Sequence, residues 1–367
     1  MKILYLCNIA SPYRVNFFSE LNRFLEPVVL FERKSASDRN KEWLGGELTE
    51  YSTVFLKSIN VGTENAFAPS ILKYLKKGKY DLIIIGGYAT PTSMLAIIAM
   101  KLKGIKYILN ADGGFIKEDG FLKRKVKQFF IGGASAWICS GKRTKEYFIH
   151  YGAKESRVFE YPFTSLFNHD ILIDVLSDSN KKDIKKRLGI KDKRVVLSVG
   201  QFIPRKGFDI LLKAWQGLPE DFGLYIIGDE PTDEYLKHKE KLNLKNVNFV
   251  GFLDKETLKD YYMAADLFAL PTREDIWGLV IGEAMAYGLP IITTYNCNAG
   301  LELVDETNGI LISVEDIKGT GEAVETILSD EKKLKSMSKS SLNKIKPYTL
   351  ENMAKRHVEI FETILKN

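Results

Sequence analysis

Short apolar runs without alternation recur along the chain, each followed by a stretch with helical spacing. KILYLCNIA (2–10) precedes VNFFSELNRFL (15–25), and DLIIIGG (81–87) precedes SMLAIIAMKLK (93–103). KYILNADGG (106–114) precedes FLKRKVKQFF (121–130), and AWICSG (136–141) precedes RTKEYFIHYG (143–152). A strand that is apolar at every position is buried on both faces, which predicts a parallel sheet covered by helices. After the polar stretch SDSNKKDIKKRLGIKDKR (177–194) the rhythm restarts near residue 190. VVLSVGQ leads to GFDILLKAW, GLYIIGD to DEYLKHKEKL, VNFVGF to ETLKDYYMAA, and LFALPT to GLVIGEAMAYG, with PIITT following. The pattern predicts an α/β protein of two doubly wound parallel-sheet domains, 1–168 and 169–345, with a terminal helix over 346–367. Two such domains leave a cleft between the carboxyl ends of their strands, the usual ligand site in open sheets.

Composition narrows the class. With 367 residues, 45% hydrophobic and 27% charged, the chain has the balance of a globular protein and length enough for two cores. Three scattered cysteines, Cys7, Cys139 and Cys297, make neither a disulfide framework nor a zinc site, so a reducing cytoplasm is the expectation. The opening MKILYLCNIASPYR reads as a first buried strand and not as a signal peptide, because the run is short and reaches Pro12 and Arg14 without a small-residue cleavage site. The uncharged stretch Leu82–Met100 approaches membrane-span length. Gly86-Gly87 and Thr90-Pro91-Thr92 break it, so it predicts a strand, a turn and a capped helix, and no transmembrane segment.

Charge is uneven. Residues 1–165 hold 25 Lys and Arg against 15 Asp and Glu, whereas the remainder holds 28 against 32. A positive first half suits an anionic lipid surface or an anionic substrate.

Two loops carry candidate chemistry. After VVLSVG comes QFIPRKGF, which puts Arg205 and Lys206 between a strand's carboxyl end and a helix start, a seat for phosphate or diphosphate; an ordinary solvated loop is the alternative. PTREDIWGLVIGEAM (271–285) places Asp275 before a helix and Glu283 within it. Between them, the backbone N–H groups of Gly278, Leu279 and Val280 fall in a first helical turn without intrahelical partners. A carboxylate accepts hydrogen bonds from hydroxyls, so carboxylate, anion-binding turn, carboxylate would suit a nucleotide sugar. Against this stands Asp275 as a helix cap and Glu283 as a solvated residue.

The phrases PRKG (204–207), VGF (250–252), EDIWGLVIGEAMAYGLPII (274–292) and ELVDETNGILI (302–312) occur in that order over about 120 residues. Together they resemble the family 4 glycosyltransferases, the group 1 enzymes of bacterial polysaccharide and glycolipid synthesis, which are retaining and have the GT-B fold. The resemblance implies two Rossmann-like domains, the first binding the acceptor and the second the nucleotide-sugar donor, with the terminal helix crossing back to the first. It implies that Arg205 and Lys206 hold the donor diphosphate, that Asp275 touches the transferred sugar and that Glu283 binds the ribose hydroxyls. Gly278, Leu279 and Val280 would donate to the phosphates, and Gly251-Phe252 would lie against the base. The family's first Glu of E-x7-E is here the shorter Asp275, with Trp277 where Phe is usual. Asp112 in NADGGF stands roughly where the family often has a cleft-facing His or acid; a turn residue is the alternative. In the loop after the first strand the family is commonly glycine-rich. This chain is not, and Tyr13 and Arg14 are its candidates there.

The implied reaction moves a sugar to a hydroxyl of a saccharide or lipid-linked acceptor with no cofactor. No Asp-x-Asp pair occurs, so cationic side chains and a helix dipole are expected in place of a metal. SGKRT (140–144) lacks the glycine spacing of a phosphate loop and reads as a helix start; Ser140 and Lys142 could still edge the cleft. His150 and His169 have no nucleophile partner pattern. No G-x-G-x-x-G follows a strand, which disfavours a dinucleotide oxidoreductase, and no nucleic-acid module is legible. A sugar-nucleotide epimerase of the same fold and a non-catalytic nucleotide-sugar-binding subunit are the rivals.

Two helices raise questions of packing. In GFLKRKVKQFFIGG, Leu122, Val126, Phe129 and Phe130 share one side and Lys123, Arg124 and Lys127 the other. The first reading docks the apolar side on the core. The second attaches it peripherally to an anionic leaflet, at the cytoplasmic face. In the terminal helix Met353, Val358, Phe361 and Leu365 are the expected apolar side, with hinges near 165–180 and at Pro347.

Overall fold

The computed structural model describes residues 1–33, 51–62 and 65–366. The chain divides into two compact units, Met1–Thr164 with Tyr348–Asn367, and Ser165–Pro347.

Unit 1 is built on a parallel sheet of β1 (Lys2–Ile9), β2 (Glu26–Arg33), β3 (Ser52–Phe55), β6 (Leu82–Gly86), β7 (Ile108–Ala111), β8 (Ala136–Cys139) and β9 (Val158–Glu160). Between β3 and β6 lies a small antiparallel pair, β4 (Ile59–Val61) and β5 (Asn65–Phe67). The sheet order is β3-β2-β1-β6-β7-β8-β9, so the winding direction reverses beside β1. Tyr5 of β1 stands between Val29 and Ile84 in register, and Ile3 to Cys7 are all buried, as a strand covered on both faces requires. The helices are α1 (Pro12–Asn22), α2 (Pro91–Leu102), α3 (Phe121–Ile131) and α4 (Lys142–His150). The long uncharged stretch resolves as expected into β6, a turn with Gly87 at φ 93°, and α2. Thr90 caps α2 through its hydroxyl, which accepts from Ser93 N at 3.1 Å, and Pro91 takes the first helical position. Among the described residues no helix is long and apolar enough to cross a membrane.

Unit 2 has a second parallel sheet: β10 (Arg194–Val199), β11 (Phe222–Ile227), β12 (Val247–Val250), β13 (Leu267–Leu270), β14 (Ile291–Thr294) and β15 (Gly309–Ile312), in the order β12-β11-β10-β13-β14-β15. Around it run α5 (Asp178–Arg187), α6 (Phe208–Ala214), α7 (Asp233–Lys241), α8 (Lys255–Ala264), α9 (Leu279–Ala286), α10 (Asn298–Leu303), α11 (Ile317–Leu328) and α12 (Glu331–Ile345). The polar stretch before β10 carries α5, which buries Ile184 and packs on α8. Its Lys185 lies 2.9 Å from the buried Asp266, and Lys181 donates to Ala265 O at 2.7 Å. One apolar residue and two long cations meeting a buried carboxylate suffice to dock a helix whose sequence is otherwise polar.

The terminal helix α13 (Leu350–Lys366) belongs to unit 1 and lies on α1. Its buried stripe is Leu350, Met353, Ala354, His357, Ile360, Phe361 and Ile364. The expected side is corrected in two places: Val358 is not in the stripe and Leu365 is exposed. The true repeat runs through His357, whose ring packs 4.7 Å from that of Phe17 and 4.3 Å from that of Tyr161.

Candidate functional site

In unit 2 the winding reverses between β10 and β13. Loops leaving neighbouring strands there turn to opposite faces of the sheet and open a crevice at the carboxyl edge. The two loops are those that carry the candidate chemistry.

The β10 loop makes one tight turn over Pro204–Lys206 and reaches Gly207 at φ 71° before α6 begins. A Cβ on Gly207 would fall 2.0 Å from Pro271 O, so glycine alone allows the β10 and β13 loops to touch. They are then stitched together: Arg205 O accepts from Arg273 N and from Thr272 Oγ1, both at 2.8 Å. Arg273, which no sequence pattern singles out, anchors the stitch. Its guanidinium donates to both carboxylate oxygens of Asp209, at 2.8 and 2.9 Å, and also pairs with Glu315.

This stitching brings Arg205, Lys206 and Asp275 together. Lys206 Nζ lies 2.7 Å from Asp275 Oδ2, and Arg205 Nη1 lies 3.4 Å from Asp275 Oδ1 while donating to Glu274 O at 2.9 Å. The Arg205 side chain is 43% exposed and that of Lys206 12%. The backbone of Asp275 is fixed from the β14 side, its N–H donating to Asn296 O at 2.8 Å and its carbonyl accepting from Asn298 N at 3.2 Å. Trp277 is buried and its carbonyl accepts from Ala299 N at 2.8 Å. Asp275 does not cap a helix; the N-cap of α9 is Gly278, at φ 93°. A Cβ there would meet Cys297 Sγ at 2.8 Å and the Asp275 carboxyl carbon at 3.7 Å. The amino end of α9 therefore starts against the carboxylate and its two cations, with the first-turn N–H groups of Gly278, Leu279 and Val280 as donors.

Glu283 is not a solvated helix residue. Ser165 Oγ donates to its Oε1 at 2.8 Å and the Tyr262 hydroxyl to its Oε2 at 3.3 Å. Burial raises its pKa, against the pull of those two hydroxyls. Gly251 and Phe252 follow β12, two strands from β10 and so about 10 Å along the sheet edge. Phe252 is exposed, and a Cβ on Gly251 would lie 3.4 Å from the Glu230 carboxylate on the loop after β11. Among the described residues no group of three or more His, Cys, Asp or Glu is placed to hold a metal ion.

In unit 1, Asp112 lies just beyond β7 and is no simple turn residue. It forms an ion pair with Arg14, in the first turn of α1, and accepts from the Tyr161 hydroxyl at 3.0 Å. The Arg14 guanidinium lies 5.4 Å from the ring centroid of Tyr13 and 5.9 Å from that of Phe163. The Ser140 hydroxyl donates to Asp112 O at 2.8 Å, and Lys142 opens α4. A further acid lies beyond the reach of any sequence motif: Glu32, at the end of β2, is buried and accepts from Thr90 Oγ1 at 2.7 Å, and burial pushes its pKa up to about 7. A polar residue ending an apolar run was the only available signal.

The first reading of α3 is corrected. Phe130 and Ile131 dock, but Phe121, Leu122, Val126 and Phe129 are exposed. The helix is held by its last turn and by Lys127, whose ammonium donates to Asp119 at 2.6 Å and to the Tyr151 hydroxyl at 3.1 Å. That leaves the apolar side outward.

Residues 180–344 match the family described as Glycosyl transferases group 1. A UDP-Gal:α-D-GlcNAc-diphosphoundecaprenol α-1,3-galactosyltransferase of Escherichia coli is 30% identical over 295 residues, 75% of this chain and 73% of that protein. A glycosyltransferase of Haemophilus influenzae is 30% identical over 189 residues, 49% of this chain; the match spans about half of that relative, 53%. Among solved structures, Anabaena HepE in complex with UDP superposes with a TM-score of 0.78 at 18% identity, over 99% of this chain and 100% of that one. At that identity the likeness speaks for the fold.

Proposed function

Because this chain belongs to the group 1 glycosyltransferases, we propose that it moves a sugar, with retention, from a nucleotide-diphosphate sugar to a hydroxyl of a saccharide or lipid-linked acceptor in cell-surface polysaccharide or glycolipid synthesis. The observation that carries the reading is the convergence, at the winding reversal of unit 2, of Arg205, Lys206 and the amino end of α9 around Asp275. Two cations and a helix amino end against one carboxylate leave a positive excess that suits a diphosphate.

In this reading the bond from the sugar's anomeric carbon to the diphosphate breaks and the acceptor oxygen takes its place. The acceptor's proton leaves with the nucleoside diphosphate. Negative charge grows on the departing oxygen, and Arg205 and Lys206, drawn from Asp275 to the diphosphate when the donor binds, stabilise it together with the N–H groups of Gly278, Leu279 and Val280. Glu283, already accepting from two hydroxyls, is chemically suited to the ribose diol. Phe252 offers a ring to the base, and Asp275 accepts from a sugar hydroxyl once the diphosphate draws the cations. Unit 1 takes the acceptor, with Asp112 beside it. The reaction proceeds in the cytoplasm and without a metal, the cations supplying the charge a metal would.

The E. coli relative's name gives a UDP-linked donor and a diphosphoundecaprenol acceptor, which favours a uridine donor and a lipid-linked acceptor here. The test is product analysis with UDP- and GDP-sugars in the presence of chelator. Release of nucleoside diphosphate that requires an acceptor, with the anomeric configuration kept, supports the reading. Isomerisation of the donor without acceptor would establish the epimerase instead, and an inert isolated chain the binding subunit.

A further inference from the structure

The face of unit 1 around α3 combines two things that a solvated surface rarely carries together. Phe121 and Leu122 are 74% and 78% exposed, and Val126 and Phe129 are each half exposed. On α2, which adjoins it, Leu102 is also exposed, and Lys101 sets its ammonium 3.7 Å from the Phe129 ring centroid. Contiguous large apolar side chains in water mark an interaction surface.

Interleaved with them are exposed cations: Lys117 ahead of the helix and Lys123, Arg124 and Lys125 within it. The helix itself contains no acid. The neighbouring Asp119 is already taken by Lys127, Lys123 and the Tyr151 hydroxyl. At 100° per residue, Phe121, Lys125, Phe129, Leu122 and Val126 fall on one outward arc, with Lys123 and Arg124 to its two sides. Long cationic stems beside apolar tips can lay their methylenes along an apolar boundary and keep their charges at its polar edge. A second copy of this chain would set cation against cation. Charge complementarity selects an anionic layer with an apolar interior.

We propose that α3 is the membrane-docking element of unit 1. It seats Phe121, Leu122, Val126 and Phe129 at the headgroup–acyl boundary of an anionic leaflet, with Lys123, Arg124 and Lys125 at the lipid phosphates. The inference rests on exposure and charge, not on the transfer chemistry, so vesicle binding and sugar transfer can fail separately.

The test is flotation of the full chain with phosphatidylcholine vesicles, with and without phosphatidylglycerol, at low and at physiological ionic strength. The chain should float with the anionic vesicles and not with the neutral ones. Replacing both Phe121→Ser and Leu122→Ser should weaken binding about tenfold or more. Replacing Lys123→Gln, Arg124→Gln and Lys125→Gln together should weaken it about a hundredfold, about fivefold for each cation. Both variants change only exposed side chains and should keep the wild-type melting temperature. Failure to float with anionic vesicles at low ionic strength overturns the proposal, as does wild-type flotation by both variants. Loss of a dimer in light scattering with flotation unchanged would assign the face to a second copy instead and equally refute it.

Discussion

At the carboxyl edge of unit 2 the Asp275 carboxylate meets two cations, Arg205 and Lys206, whereas at the edge of unit 1 Asp112 meets one, Arg14. Both clusters sit where loops leave parallel strands, and both use an arginine and an aspartate. In unit 2 the charges do not cancel: one cation is in excess, the amino end of a helix adds to it, and Arg205 is open to solvent. In unit 1 the pair is one to one and enclosed, with the Tyr161 hydroxyl on the carboxylate and the Tyr13 and Phe163 rings near the guanidinium. Strand order brings the loops together in either case. Whether an edge can take an anion is decided by unbalanced charge and access: the edge of unit 2 has both, whereas that of unit 1, paired one to one and enclosed, has neither.

The contrast can be broken by mutation, most forcibly in unit 2. Arg205→Ala with Lys206→Ala should reduce transfer at least a thousandfold, since each positioned donor to a developing oxyanion contributes roughly 3–4 kcal/mol. Melting temperature should fall as well, because the buried Asp275 carboxylate loses both of its cations. Steady-state kinetics with saturating acceptor, run well below the variant's unfolding transition, would read the loss. Next in size is Asp112→Ala, which strands Arg14 as a buried unpaired charge. It should cost about 3–5 kcal/mol of stability in thermal unfolding and leave nucleoside diphosphate affinity unchanged. Loss of that affinity with intact stability would erase the distinction between the two edges. Gly278→Ala comes third, because it forces a left-handed residue and a contact with Cys297 Sγ. About 1–3 kcal/mol of strain is expected in denaturant unfolding, with weakened diphosphate binding beside it.

At neutral pH the smallest effect is that of His357, which acts only on acid stability. His357 donates from Nδ1 to Met353 O at 2.8 Å, which leaves Nε2 unprotonated in the core, and burial lowers its pKa to about 3. Unfolded, the ring titrates near 6.5. The folded chain therefore resists protonation that the unfolded chain accepts. The stability it contributes is full above about 6.5 and declines as pH falls towards about 3, by about 1.4 kcal/mol per pH unit. His357→Phe should flatten that limb of a stability–pH curve.

Much of this was legible in the sequence because its signals were local. The apolar runs marked the central strands of both sheets, and PRKG and the Asp275–Glu283 phrase marked the two loops that meet at the unit 2 reversal. What the sequence did not disclose was long-range. Arg273 reads as one more loop cation until the structure sets it on Asp209 and Glu315. Asp112 reads as well for a turn residue as for a cleft-facing acid until Arg14 and Tyr161 arrive from distant segments. Periodicity found the apolar stripe of α3 but not what the stripe meets. In α13 it passed over His357, because a titratable residue is counted as polar although its ring is packed between Phe17 and Tyr161. In α5 a single buried isoleucine and two lysines on Asp266 dock a helix that looks like a linker.

The claim that a diphosphate is held by Arg205, Lys206 and the start of α9 is tested most directly by thermal shift with UDP, GDP and ADP in chelator, comparing the wild-type chain with the Arg205→Ala, Lys206→Ala variant. Ligand that binds only the folded chain at a hundred times its dissociation constant stabilises it by about 2.7 kcal/mol. One nucleoside diphosphate should therefore raise the wild-type melting temperature by several degrees and leave the variant unmoved. An equal rise in both proteins, or no rise with any of the three, would contradict the account.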